Sequence, residues 1–305
     1  MLQTPKGHAL AIQRGTSPED AEFVYQWSDE SDFQPCLADY HIFCRTSYAH
    51  IGLADNARVG LLVTHKYDNS TGFLGPFIVK ESERGKGYGY LLWQHAMDNF
   101  GDANLGCDAV AARVPYYQRF GFVPHHDTQR FRGPYPRHLA KEAARHYQAK
   151  YRLTSFAQED ITTLVEFDYK HSGLRREGWY QNWQDRKSTA SLILRDTATG
   201  EICAMGAIGR AWQPHHYRIS PCYARDPASA RRMLLELMTR VIETDSEPDK
   251  VLIDMVVMLN NPDAVQIAHD CRLAEGLKCA RMWTRGLPCP EGISHTYAVV
   301  GFECG

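Results

Sequence analysis

No stretch of this sequence is apolar for the roughly 20 residues that a helix needs to cross a bilayer, so no membrane span is expected. Neither sign of charge is in excess: 34 Lys and Arg stand against 36 Asp and Glu, a formal net charge of -2. A general nucleic-acid or membrane-surface binder would need a basic surplus, so neither partner is expected. The nine cysteines contain no CxxC pair. An odd number of scattered thiols reads as reduced residues in the cytoplasm, not as a disulfide framework or a zinc site. The stretch from Met1 to Gln13 has no charged segment followed by an apolar one, so no secretory leader is expected. Two familiar phosphate signatures are also missing. GxxxxGK[ST] fails because Lys86 is followed by Gly87, and GxGxxG is matched poorly.

What is present suits a globular protein of one large or two average domains: 305 residues, 44% hydrophobic and 23% charged. A strand is expected from His8. A helix should follow, with Ser17 as its cap and Pro18 at its first position. AHIGLAD and RVGLLVTHKY flank Asp55 and Asn56 and predict a hairpin. GFLGPFIV reads as the next strand, and Leu91, Leu92, His95, Ala96 and Phe100 as a helical stripe. A short strand is placed near LGCDAVAA, then RVPYYQRF and a turn at Gly121. DTQRFRGPYPRHLAKEAARHYQAKY reads as a connector, with two prolines, a glycine and then an alanine-rich charged run. After it the order restarts: a strand and acid-capped helix in YRLTSFAQEDITTLVEFDY, a hairpin around Thr199 and Gly200, then strand, turn and helix in YRISPCYARDPASARRMLLELMTRVIE. VLIDMVVML is a strand and NNPDAVQIAHDC a capped helix. The expected division is a first domain at 1–135, a connector at 136–150 and a second domain at 151–305.

The most informative stretch is IVKESERGKGYGYLLWQHAMDNF, from Ile78. It places Arg84, Gly85, Lys86, Gly87, Tyr88 and Gly89 at the mouth of a helix. The first amides of a helix are unpaired and the helix dipole adds partial positive charge. Glycines let a pyrophosphate approach the backbone closely. A tight turn without a ligand is the other reading of the same residues.

VKESERGKGYGYLL, followed after a helix and a strand by YYQRFGF, resembles the GNAT family of acetyl-coenzyme A-dependent acyltransferases. Arg84, Gly87 and Gly89 match that family's R/Q-x-x-G-x-G/A turn. Tyr117, Gly121 and Phe122 match its later Y-x-x-x-G-F signature. The resemblance covers about the first 130 residues. It implies an α/β fold, a mixed and mostly antiparallel sheet flanked by helices. It also implies acetyl-coenzyme A as co-substrate, with its pyrophosphate on the turn from Arg84 to Gly89. The pantetheine arm would run along Phe77, Ile78 and Val79, beside a neighbouring strand that splays away. Two departures stand out. Many members have Asn seven residues before the signature tyrosine, where this chain has Val110. Histone-type members have a base glutamate at the position of Phe73.

The closing segments of the second half look like the C-terminal domain of tandem GNAT proteins. There Ala224, Arg225, Asp226 and Pro227 replace the glycine turn. Asp226 would repel a pyrophosphate and Pro227 has no N–H to offer, so this half is expected to be degenerate and to bind no second cofactor.

The reaction so implied is attack of an amine on the acetyl thioester. An alkylamine with a pKa of about 10.4 needs about 4.6 kcal/mol to be neutral at pH 7, so a base, a water relay or a desolvating pocket should help. Glu81 and Glu83 are the nearest carboxylates in sequence, and solvated loop charge is their other reading. Tyr117 is the candidate catalytic residue, hydrogen-bonding or protonating the departing thiolate. It could also be a core tyrosine, and Tyr116 competes for the role. No metal is expected: His125 with His126, and His215 with His216, are sequence neighbours that would point to opposite faces of a strand. EGWYQNWQD reads as core or interface, or as a pocket wall between the domains. The expected acceptor is a small-molecule amine. The alternatives are a catalytically silent coenzyme A-binding module and a protein N-acetyltransferase.

Overall fold

The computed structural model describes residues 1–36, 47–139, 150–183 and 189–305. β1 (Leu2–Gln3) and β2 (Ala9–Gly15) lead into α1 (Pro18–Glu30). That helix starts at Ser17, whose side chain accepts the Asp20 amide while Asp20 reaches back to the cap. β3 (Ser47–Ala54) and β4 (Ala57–Lys66) pair antiparallel around Asp55 and Asn56. Both turn residues have positive φ, 49° and 62°, as a two-residue hairpin loop requires. β5 (Thr71–Val79), α2 (Tyr88–Met97), β6 (Asn104–Val110) and the short α3 (Val114–Gln118) complete the first run of elements.

The expected connector begins with a strand instead. β7 spans Val123–Pro134, so the reading of Asp127 to Pro134 as a linker is corrected. The alanine-rich run at 140–149 lies outside the described residues. β8 (Tyr151–Ser155), α4 (Ile161–Ser172), α5 (Glu177–Trp183), β9 (Thr189–Asp196) and β10 (Ile202–Arg210) follow. Then come β11 (His216–Ala224), α6 (Pro227–Thr244), β12 (Leu252–Met258), α7 (Pro262–Asp270), β13 (Ala274–Trp283) and β14 (Thr296–Ala298). In α5, Trp179 and Tyr180 are buried in the core beneath β9 and β10; Gln184 and Asp185 of the same stretch lie outside the described residues. Among the described residues no helix is long and apolar enough to cross a membrane.

These strands form one continuous sheet in the order β1-β2-β3-β4-β5-β6-β13-β7-β12-β11-β10-β9-β8, with β14 beside β11. The halves exchange their last strands. β13, from late in the chain, pairs antiparallel with β6, while β7 pairs antiparallel with β12. β13 and β7 pair with each other at the middle. Among the described residues only two pairs are parallel, and they correspond. β5 and β6 pair from Thr71↔Asn104 to Leu74↔Cys107 and then separate. β11 and β12 pair from His216↔Leu252 to Ile219↔Met255 and then separate. A proline follows each parting, Pro76 in β5 and Pro221 in β11, where a strand can do without a ladder N–H.

The two gaps are filled differently. In the second half, β14 lies antiparallel on β11 with Cys222↔Ala298 and Tyr223↔Thr296. The chain then continues inward. Ser220 Oγ donates to Val300 O at 2.6 Å, and Tyr67 Oη to Cys304 O at 2.5 Å. Residues 299–305 are all buried. They lie against the bulge of β5, where a Cβ on Gly75 would stand 2.8 Å from Glu303 O. In the first half, among the described residues, no strand fills the gap between β5 and β6.

Candidate active site

That open gap is a cavity of about 680 Å³. One wall is the end of β5, where the register with β4 shifts between Leu62 and Thr64 and a bulge forms at Gly75 and Pro76. The opposite wall is the end of β6, Asp108 to Val110, continued by Arg113, Tyr116 and Tyr117. The mouth is the turn before α2, and Ser31 and Phe33, after α1, line the cavity as well.

The turn is shaped by its glycines. Gly85 and Gly87 have φ of 80° and 95°, values that a side chain disfavours. Gly87 is the N-cap of α2, and a Cβ there would come within 2.9 Å of Thr4 Cβ. The carbonyl of Gly87 accepts the amides of Tyr90 and Leu91, which fixes the first turn of α2 and leaves its leading amides facing outward. Lys6 Nζ donates to Gly85 O at 2.6 Å, and Arg84 Nε to Val79 O at 3.1 Å. Lys86 Nζ sits 2.8 Å from Glu83 Oε2, and that hydrogen bond raises its pKa.

Of the residues singled out in the sequence, Phe77, Ile78, Val79, Arg84, Gly85, Gly87, Tyr88, Gly89, Tyr116 and Tyr117 all line this one cavity. Lys86 does not; its ammonium is engaged with Glu83. Glu81 stands away from it, with its side chain 91% exposed. Tyr117 is buried among Trp93, Tyr116 and Phe122. Burial pushes its pKa well up, with a smaller contribution from nearby Cys107, so its hydroxyl keeps its proton across the neutral range. Burial raises Tyr116 too.

Several lining residues have no motif around them: Ser31, Phe33, Leu74, Gly75, Asp108 and Arg113. Asp108 has the chemistry of a base, but its side chain is fully enclosed. Arg281 Nε and an Arg281 Nη donate to its two oxygens at 3.0 and 2.5 Å, and Thr128 Oγ1 donates at 3.1 Å. Among the described residues, then, the cavity's two carboxylates, Glu83 and Asp108, are both ion-paired. Phe73, at the position of the histone-type glutamate, is fully buried and packs edge-on against Trp283.

The corresponding turn of the second half has a different local structure. Only Arg225 separates the end of β11 from the N-cap of α6. That cap is Asp226, whose carboxylate accepts the Ser229 amide at 2.7 Å, and Pro227 occupies the first helical position.

Comparison with known proteins agrees with this architecture. The profile of the acetyltransferase (GNAT) family matches residues 17–122, and that of a further acetyltransferase (GNAT) domain matches residues 164–298. Holothin acyltransferase of Pseudoalteromonas sp. (strain SANK 73390) is 21% identical over 304 residues, 98% of this chain and 96% of its own. A candidate acetyltransferase from Pyrococcus horikoshii superposes with a TM-score of 0.71 at 16% identity, over 97% of this chain and 96% of its own. A tandem GNAT protein from the clavulanic acid biosynthesis pathway gives 0.66 at 15% identity, over 93% of this chain and all of its own. With a GNAT profile on each half and relatives alike along nearly its whole length, the chain belongs to the GNAT family of acyltransferases and carries two GNAT domains in tandem.

Proposed function

We propose that this enzyme transfers an acetyl group from acetyl-coenzyme A to the amine of a small molecule, at one site in the first half. The observation that carries the reading is the open gap between β5 and β6, which ends at the glycine turn of α2. The pyrophosphate takes the outward amides of Gly85 to Gly89, with Arg84 beside them. Each charge-assisted hydrogen bond contributes roughly 1.5–3 kcal/mol. The arm follows Val79, Ile78 and Phe77 towards Gly75, a rise of about 13 Å at about 3.3 Å per residue, comparable with an extended pantetheine. Strand backbone unpaired on that side offers it hydrogen bonds in place of a neighbouring strand.

At the bulge the neutral amine attacks the thioester carbonyl. A C–N bond forms, the C–S bond breaks, and the sulfur leaves as thiolate. Tyr117 donates its proton, or a strong hydrogen bond, to that thiolate and recovers a proton from the attacking nitrogen through solvent. Its raised pKa keeps the hydroxyl protonated, which suits it to give the thiolate a hydrogen bond and not to act as the base, and makes full proton transfer to sulfur more uphill than from an ordinary tyrosine. Among the described residues the lining carboxylates Glu83 and Asp108 are both ion-paired, so water is assigned the removal of the amine's proton.

The second half is degenerate and takes no coenzyme A. Asp226 fills the cap of α6, Pro227 lacks an N–H, and β14 occupies the backbone of β11 that an arm would need. We draw the domains at 1–135 and 151–305 with a connector at 136–150, each domain completed by a strand of the other. The protein works in the cytoplasm with reduced thiols. The holothin enzyme's name supports a small-molecule acceptor. The test is a titration with coenzyme A, followed by a panel of small amines scored for thiol release from acetyl-coenzyme A. Binding without release for any amine would favour the silent module, and release only with peptides a protein acetyltransferase.

A further inference from the structure

Just after α1, Asp32, Phe33 and Gln34 make a sharp loop. Asp32 and Gln34 adopt left-handed backbone conformations, with φ of 62° and 50°. For residues with a Cβ this costs roughly 1–2 kcal/mol each, and it persists where the surroundings over-determine it. The surroundings here are three arginines on the sheet of the second half, Arg130 and Arg132 on β7 and Arg218 on β11.

Arg130 Nη2 donates to the carbonyls of Asp32 and Phe33 at 2.5 and 3.1 Å, and its Nη1 lies 2.7 Å from the Asp32 carboxylate. Arg218 Nη1 donates to the carbonyls of Phe33 and Gln34 at 3.2 and 3.0 Å. Arg132 Nη2 donates to Gln34 Oε1 at 2.5 Å. Behind the loop, Asp254 neutralises Arg130 and Arg132, and Glu303 pairs with Arg218. Arg130, Arg218, Asp254 and Glu303 are at most 1% exposed. Apolar side chains of similar volume often stabilise a fold as well as such a buried network does. What apolar groups cannot do is hold three successive carbonyl and side-chain oxygens in one strained conformation.

The residue so fixed is Phe33. It lines the cavity together with Ser31, Leu74, Gly75 and Val110, and it packs against the buried cluster that includes Val299 and Phe302. On the functional reading above, the thioester reaches the bulge at Gly75 and its acyl group enters the space before Phe33. We propose that Phe33, held by Arg130, Arg132 and Arg218, is the wall that restricts the enzyme to short acyl groups, so that the second half sets the acyl-chain limit of the first. Phe33 is the specificity residue and the arginines are positioning residues.

The test is calorimetric titration of the full chain with free coenzyme A and with acetyl-, butanoyl- and hexanoyl-coenzyme A. The quantity read is the ratio of the hexanoyl Kd to the free coenzyme A Kd. In the wild type, hexanoyl should bind markedly more weakly than acetyl. Phe33→Ala should lower the ratio by about tenfold or more, the scale on which a pocket discriminates chain methylenes. The paired change Arg218→Met with Glu303→Gln removes both charges together and should lower it in the same direction. Asp32→Gly, on a half-exposed side chain, relaxes the same loop if that pair does not fold. A purely structural role would lower Tm in these variants and leave the ratio alone. If free coenzyme A does not bind the wild type, the functional reading itself falls. If it binds, but hexanoyl binds as tightly as acetyl or Phe33→Ala leaves the ratio unchanged, the wall is overturned. If only Phe33→Ala moves the ratio, the positioning role of the arginines is overturned.

Discussion

Arg281 on β13 grips both carboxylate oxygens of Asp108 on β6, at 3.0 and 2.5 Å, from 173 positions away in the chain. Strand exchange alone makes this possible, since β13 belongs to the second half and β6 to the first. The pair is almost fully enclosed. Arg281→Met should therefore strand a buried carboxylate and cost about 3–5 kcal/mol, whereas Arg281→Met with Asp108→Leu should recover most of it. Urea denaturation measures both. A single variant losing less than about 1 kcal/mol would mean the pair is hydrated as surface pairs are.

The glycine turn calls for a substitution that spares the backbone. Gly87 is a poor choice, because its φ of 95° and its approach to Thr4 would strain any side chain. Gly89 is better: a Cβ there meets only Val79 and Phe77, at 3.4 and 3.5 Å. Gly89→Glu sets a carboxylate where the pyrophosphate is proposed to lie. Losing two charge-assisted contacts should weaken coenzyme A by about 10²–10⁴. Unchanged affinity by calorimetry, in a variant with a normal melting curve, would move the cofactor elsewhere.

Tyr117→Phe keeps the ring packed on Trp93 and Phe122 and deletes only the hydroxyl. In single-turnover measurements the chemical step should slow by about 10²–10⁴, with little change in coenzyme A affinity. Tyr116→Phe, made in parallel, should slow it by much less. Wild-type turnover in Tyr117→Phe would take the residue out of the mechanism, and an equal loss in both would point to packing.

How far the sequence carried can be judged residue by residue. Ser17, Asp55, Asn56 and Gly87 announce their roles because caps and left-handed turns depend on the residue itself and its immediate neighbours. β7 was misread because its buried face includes Arg130, which removes the apolar alternation that marks a strand. Nothing in AEGLKCARMW says that β13 will leave its own half, because pairing partners are chosen by the whole sheet. Phe33 escaped notice for a similar reason. It is an isolated aromatic in a loop, and only the arginines arriving from β7 and β11 turn it towards the cavity.

Stoichiometry tests the reading of the second half. One coenzyme A should bind per chain, and Gly89→Glu should weaken that one site without exposing a second. In contrast, Asp226→Ala should leave affinity unchanged while removing a helix cap, at a cost of about 1 kcal/mol in stability. Two equivalent sites in a titration, or a rise in affinity with Asp226→Ala, would show that the second turn holds cofactor.

The last prediction concerns acid. His50 is buried on β3, with its Nδ1 3.0 Å from that of His95 and its Nε2 3.2 Å from Thr64 Oγ1. Desolvation, then His95 and Arg14, lower its pKa to about 3. His65, fully buried, falls to about 3 as well, through desolvation and then Arg176. In the unfolded chain both imidazoles would take a proton near pH 6.5. Between about pH 6.5 and 3 the unfolded state therefore binds more protons than the folded one, and stability falls as pH falls. It is complete above pH 6.5, and each histidine removes up to about 1.4 kcal/mol per pH unit below that. Replacing His50 by Gln keeps a polar group at the site and deletes its titration. Urea denaturation of wild type and His50→Gln at pH 7.5 and 5.0 should show the variant losing less stability on acidification, by about 2 kcal/mol. Equal losses in the two proteins would mean that His50 is protonated in the folded state, with water or a rearranged His95 taking up the charge.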